Sequence, residues 1–222
     1  MAGLFEKDLR LVLHRKQSLL LFVAVALLLG VSQEDGGSFV IGYITMLGSI
    51  FTISTFSYDE FDNGYAFLMT LPINPKTYVV EKYLFTGLSA LISWGVGVVI
   101  AVAVNVFKGI GMDPGEFWVT ALMFLPVCAI LLSIMIPVQL KYGAEKSRIA
   151  LVVVVGGALA IGVFAKNLVK SLGVSFAGVE NLVERIGTWS PVLLVAAAAV
   201  VAAVVVGISL LISQRVMVTK EF

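Results

Sequence analysis

Six apolar runs recur along the chain, at about 18–33, 38–57, 83–107, 117–140, 148–166 and 190–213, each bounded by a short polar stretch. A helix rises 1.5 Å per residue, so about twenty apolar residues cross a hydrocarbon core of about 30 Å. The runs are continuous rather than alternating, which predicts helices and not barrel strands. The first run is the shortest, and its basic neighbours can snorkel to extend it. Ahead of it, residues 1–17 predict an amphipathic elbow helix. Phe5, Leu9, Val12 and Leu13 fall on one side, and Lys7, Arg10 and Lys16 occupy much of the rest. Such a helix lies in the headgroup plane, its basic residues against anionic lipid. No small-residue cleavage site follows the first run, so this start is expected to remain as an anchor. The expected fold is an all-α integral membrane protein of one transmembrane domain.

Two stripes stand out within the runs. The second carries Gly42, Thr45, Ser49, Thr52 and Thr55 on one helical face, and the third carries Ser89, Ser93, Gly97, Ala101 and Asn105, each four apart. Small residues let helix backbones approach closely in lipid. Packing is the first expectation for both. The hydroxyls of Thr45, Ser49 and Thr52 also make that face a candidate border of a substrate path, although such groups can satisfy themselves on the i−4 carbonyl. Pro126 and Pro137 lie inside the fourth run, where proline removes a helix hydrogen bond.

The longest polar-containing segment is 57–83. Asp59, Glu60 and Asp62 suit the first turn of a short helix. Phe61, Tyr65 and Leu68 follow at i, i+4 and i+7, and Pro72 stops it. Gly64 costs such a helix about 1 kcal/mol, which is reasonable where something packs against the backbone. Asn74–Pro75 then caps a second helix that runs into the third span. A helix with aromatic anchors and an acidic end suits a groove in a partner protein. The outer loop at 166–190 is semi-apolar and fits interfacial or re-entrant helices equally.

Composition agrees with the pattern: 59% of the 222 residues are hydrophobic and 13% charged, with a mean hydropathy of +1.03. Of the 15 Lys and Arg, eleven fall on the side that holds the N-terminus and four on the other. The positive-inside rule then places both termini and the 58–82 hairpin in the cytoplasm. A net charge of +1 gives no nucleic-acid signal. The single Cys128 reads as a small buried side chain, and His14 as a solvated one. No catalytic set, metal site or phosphate-binding loop is present. Gly157 and Gly162 have the spacing of one, but Val163 and Phe164 stand where Lys and Ser or Thr are needed. No ionisable residue lies at mid-depth in a span, as an ion-coupled carrier usually requires. Uphill transport would therefore draw on another chain.

Tyr58-Asp59-Glu60 after the second span, Leu68-Met69-Thr70-Leu71-Pro72-Ile73, Lys76, and Glu81-Lys82-Tyr83 at entry to the third span resemble a permease subunit of the type-2 ABC exporter family. Within it the chain resembles the small six-span permeases of bacterial peptide exporters, such as those for phenol-soluble modulins and bacteriocins. The resemblance implies that 58–82 is a coupling helix seated on a separate ATP-binding subunit. Tyr58, Asp59, Glu60, Phe61, Tyr65, Leu68 and Leu71 would make the contact, with Lys146 of the 141–148 loop as a secondary one. It further implies two permease copies with two ATPases, the permeases forming a homodimer. ATP and magnesium would be bound only by the partner. The cargo would be an amphipathic peptide or a lipid-like molecule, and the location the bacterial cytoplasmic membrane. A membrane anchor or regulator that recruits a cytoplasmic protein without transport would carry a similar hairpin.

Overall fold

The computed structural model describes residues 2–33, 36–60, 64–70, 73–111, 113–172 and 189–220. Among the described residues seven helices follow in order: α1 (Ala2–His14), α2 (Lys16–Ser32), α3 (Gly36–Glu60), α4 (Gly64–Thr70), α5 (Pro75–Lys108), α6 (Pro114–Leu172) and α7 (Pro191–Thr219). Among the described residues there is no strand. Four helical stretches among the described residues are long and apolar enough to cross a membrane: Gly37–Glu60, Pro75–Lys108, Pro114–Gly143 and Pro191–Thr219. A fifth appears if α1 and α2, bent by 60° at Arg15, count as one. The run expected at 148–166 lies within α6 beyond Gly143 and is helical.

The spans are longer than the apolar runs, because helices continue into the polar flanks. α5 is one 34-residue helix that starts at Pro75 in its first turn, where proline's missing N–H costs nothing. α6 keeps helical backbone through Pro126 and Pro137 and departs from it only at Gly143, with φ 82° and ψ 175°. That conformation is open essentially to glycine alone.

The two stripes serve different neighbours. Gly97 of α5 sits so close to α3 that a Cβ there would lie 3.2 Å from the Ile41 Cα. The small ridge of α5 is thus what lets the backbones approach. The hydroxyl face of α3 is buried. Thr45 donates to the Ile41 carbonyl at 2.6 Å, Ser49 to Thr45 at 2.6 Å and Thr52 to Gly48 at 2.9 Å. Ser49 also accepts from Cys128 Sγ of α6 at 3.0 Å, so the cysteine is the buried small side chain expected. α7 is held by Tyr83, whose hydroxyl meets Ser209 Oγ at 2.6 Å and Ser213 Oγ at 2.9 Å.

Two apolar cores result. One joins Val40, Ile41, Ile44 and Ala101 with Ala26 and Ala121. The other lies at the end of the bundle that holds both termini and gathers Leu4, Phe56, Leu68, Tyr78, Ile136, Leu140 and Met217. The second core draws on α1, α3, α4, α5, α6 and α7, so every element at that end shares one packed centre.

Candidate partner-docking site

At the centre of that end lies a buried charge cluster. Lys82 of α5 is fully buried, a position an isolated ammonium cannot hold without partners. It ion-pairs with Asp8 of α1 and, at 2.8 Å, with Asp59 near the end of α3. Lys7 pairs with Asp59 and lies 3.3 Å from Asp8. Tyr78 donates to Asp59 Oδ2 at 2.8 Å. The Lys82 ammonium also lies 5.0 Å from the Phe56 ring centre and 5.4 Å from that of Tyr78, within cation–π range. Two cations and two carboxylates thus close on one another and tie three helices together.

This arrangement rotates α1 from the face its apolar spacing predicts. Leu4 and Asp8 are the buried residues, whereas Leu9 and Leu13 are 42% and 57% exposed. Asp8 turns inward because Lys82 needs a carboxylate, and Leu9 and Leu13 are left for lipid. Phe5 still packs inward, edge-on to Phe85 with centroids 5.1 Å apart.

The hairpin residues divide accordingly. Asp59 is 5% exposed and engaged within the chain; Tyr65 and Leu68 are also buried, at 5% and 8%. Tyr65 packs edge-on against Tyr78 at 6.0 Å, and Lys220 near the C-terminus lies over its ring at 4.6 Å while donating to the Leu140 carbonyl at 3.0 Å. Burial, reinforced by the charge of Asp59, holds the Tyr65 phenol above its ordinary range. Tyr58 is partly exposed, with the Arg15 guanidinium over its ring at 5.1 Å. Gly64 packs as its cost suggests: a Cβ there would lie 2.7 Å from the Asp59 carbonyl oxygen. Glu60 lies over Gly143, where any side chain would run into its carboxylate. The hairpin and the break in α6 therefore touch. Phe61 and Leu71 lie outside the described residues, as does the side chain of Lys146.

Phe67 is the large side chain that α4 turns outward, 68% exposed. The i, i+4, i+7 spacing pointed instead to Tyr65 and Leu68, and those anchor α4 to its own chain. Asp8, Tyr78, Lys82, Gly143 and Lys220 were also missed as site residues. The visible signal was an acid within the apolar stripe of α1.

Glu81 is 2% exposed, and neither carboxylate oxygen has a hydrogen-bond partner among the described residues. A buried unsatisfied polar group costs about 1–3 kcal/mol. Glu81→Met should therefore raise the unfolding temperature of the detergent-solubilised chain. An unchanged or lower temperature would mean that the carboxylate is paid for within the fold.

Thr45, Ser49 and Thr52 are buried in the packed face of α3. A cavity of about 720 Å³ opens elsewhere, between α5, α6 and α7, where Gly87, Ala90, Ala129, Ala202 and Ala203 leave space. Among the described residues no group of His, Cys, Asp and Glu could hold a metal.

Long apolar helices and a charge-locked end define a multi-pass helical membrane protein. The profile of a family described as ABC-2 family transporter protein matches residues 3–218, nearly the whole chain, and the chain belongs to that family. It is an ABC-2 type permease, and the family implies an ATP-binding subunit as partner. Permeases of this family are typically membrane components without a catalytic site of their own. No curated protein and no solved structure gives a significant match.

Proposed function

We propose that this chain is the membrane-spanning subunit of an ATP-driven exporter, coupled through its 58–82 hairpin to a separate ATP-hydrolysing subunit. The observation that carries this is the buried Asp8–Lys82–Asp59–Lys7 cluster behind α4. It fuses the elbow α1, the end of α3 and the start of α5 into one body. A push on the hairpin is then passed to two spans at once. Phe67, Tyr58 and Glu60 form the outward contact, extended by Phe61, Leu71 and Lys146. Asp59, Tyr65 and Leu68 pass the motion inward.

In this reading the chain crosses the bacterial cytoplasmic membrane six times, with both termini and the hairpin inside. Supporting that count, Pro191 at the start of α7 lines a cavity together with Asp113 and Pro114 at the start of α6. Gly143 lies at the opposite end, beside Glu60. In this reading the part of α6 beyond Gly143 is the fifth span. Two permeases pair as a homodimer with two ATPases, which hold the ATP and magnesium. The exposed apolar face of α7, including Val200, Val204, Ile208 and Leu211, is available to lipid or to the second copy. The cargo is an amphipathic peptide or lipid-like molecule. A path along Thr45, Ser49 and Thr52 would require α3 and α6 to part, since these hydroxyls are buried at rest.

Purification of the tagged chain from its native membrane tests the proposal. A stoichiometric ATPase should accompany it, and cargo should stimulate ATP hydrolysis by the pair in vesicles. Phe67→Ala should weaken capture of the ATPase about thirtyfold, the effect of losing an aromatic hot spot worth about 2 kcal/mol, without changing the yield of folded permease. Full capture by the variant would remove Phe67 from the interface. An ATPase that binds but never responds to cargo would favour an anchor or regulator over an exporter.

A further inference from the structure

Lys7, Arg10, Leu11 and His14 follow one another on a single face of α1, at i, i+3, i+4 and i+7. Together with Arg15 at the bend and Tyr58 near the end of α3, they line a cavity of about 390 Å³. That volume lies within the usual range of about 300–1,000 Å³ for a small-ligand pocket. Four of the six lining residues are Lys, Arg or Arg-flanking His, and none is an acid. Lys7 is committed to Asp59 and Asp8. Among the described residues Arg10 pairs with Glu6 alone, at 2.5 Å, where both side chains are well exposed, and such a surface pair is weak. Arg15 has no carboxylate within ion-pairing distance among the described residues. Its guanidinium lies over the Tyr58 ring, which fixes its position.

We infer that this pocket binds the phosphate-bearing headgroup of an anionic membrane phospholipid. Two arginines line it, and the planar forks of their guanidinium groups match phosphate oxygens. The wall opposite α1 is Tyr58, whose phenol adds a neutral hydrogen-bonding group. Position selects a lipid as the source of the phosphate. The pocket lies at the 60° bend where α1 gives way to α2. On the neighbouring side of α1, Leu9 and Leu13 are exposed, and Leu20 and Leu21 of α2 are 67% and 62% exposed. Acyl chains cover such leucines, and the headgroup of the same lipid then reaches the basic stripe. Because Lys7 borders the pocket and also closes the charge cluster, a bound headgroup sits beside the joint between α1, α3 and α5. This inference does not depend on transport or on the ATPase.

Native mass spectrometry of the full chain, released from vesicles of phosphatidylcholine mixed with phosphatidylglycerol, tests it. Wild type should retain phosphatidylglycerol in preference to phosphatidylcholine. Arg10→Ala with Arg15→Ala should reduce that preference about thirtyfold, since each basic residue near an anionic surface contributes roughly a factor of five. Both side chains are exposed, so the double variant should fold. Arg215→Ala, which removes an exposed charge near the end of α7, should retain the wild-type preference. Inorganic phosphate, added alone, should not displace the lipid. Unchanged retention by the double variant would overturn the proposal. So would displacement by phosphate, which would make the pocket a free-anion site. Loss of the ATPase with lipid retention intact would reassign the basic stripe to protein contact.

Discussion

Lys82→Met should destabilise the permease by about 3–5 kcal/mol, the cost of removing one partner from a buried ion pair. Native stabilities are only about 5–15 kcal/mol, so a large share of the stability should be lost. The cause is electrostatic rather than steric, because methionine fills most of the volume of the lysine stem. Without the ammonium, Asp8 and Asp59 face each other with Lys7 alone between them. Tyr78 still donates to Asp59, but a phenol cannot neutralise a second carboxylate. The double variant Lys82→Met, Asp8→Leu restores charge parity and leaves the Lys7–Asp59 pair. It should recover most of the stability, since replacing a whole buried pair with apolar groups is often neutral or better. Thermal unfolding of the detergent-solubilised chains measures both. A single variant as stable as wild type would overturn the stabilising role assigned to the Lys82 ion pairs. If the double variant folds but hydrolysis by the bound ATPase no longer responds to cargo, the cluster serves transmission as well as stability.

Gly143→Val should cost about 2–4 kcal/mol and loosen the hairpin from α6. Two separable effects add. At φ 82° and ψ 175° the backbone occupies a region essentially reserved for glycine, and strain there costs about 1–3 kcal/mol. In addition, the new side chain meets the far end of the Glu60 side chain, which has to swing aside at about 1 kcal/mol, the low end of the overpacking cost. Glu60→Ala removes the second cause but not the first. The pair Gly143→Val, Glu60→Ala should therefore recover only part of the lost stability, as read by thermal unfolding. Full recovery would assign the whole effect to the carboxylate. No recovery would assign it to the backbone.

Most of the fold could be read from local pattern. Apolar runs marked the four helical stretches long enough to cross a membrane among the described residues, and the four-residue repeat from Ser89 to Asn105 marked the face of α5 that α3 approaches. Pro75 marked a helix start, and the cost of Gly64 indicated a close backbone neighbour. These features depend on residues near one another in the chain. The charge cluster does not, since Asp8 and Lys82 are 74 positions apart. Lys82 looked like one more positive charge at a span entry, which is how the positive-inside rule uses it. Its burial depends on helices meeting, and no local period encodes that. The same limit explains α4. Spacing placed Tyr65 and Leu68 on one face, but only the Tyr78, Leu140 and Lys220 contacts decide that this face is inward and Phe67 is outward. Gly143 showed no sign of its left-handed backbone, since glycine in an apolar chain is common.

The separation of Asp8 from Lys82 sets an order of events during synthesis. α1, α2 and the Asp59 end of α3 are synthesised before Lys82, so the N-terminal helix carries an acid with no cation to bury it except its neighbour Lys7. Insertion of α5 is the step that brings the missing ammonium. Until then α1 can rest on the membrane surface in any rotation. Its final rotation, with Asp8 inward and Leu9 and Leu13 outward, is therefore chosen only after a third of the chain has been made, and a nascent chain stalled before residue 82 should leave Asp8 open to water.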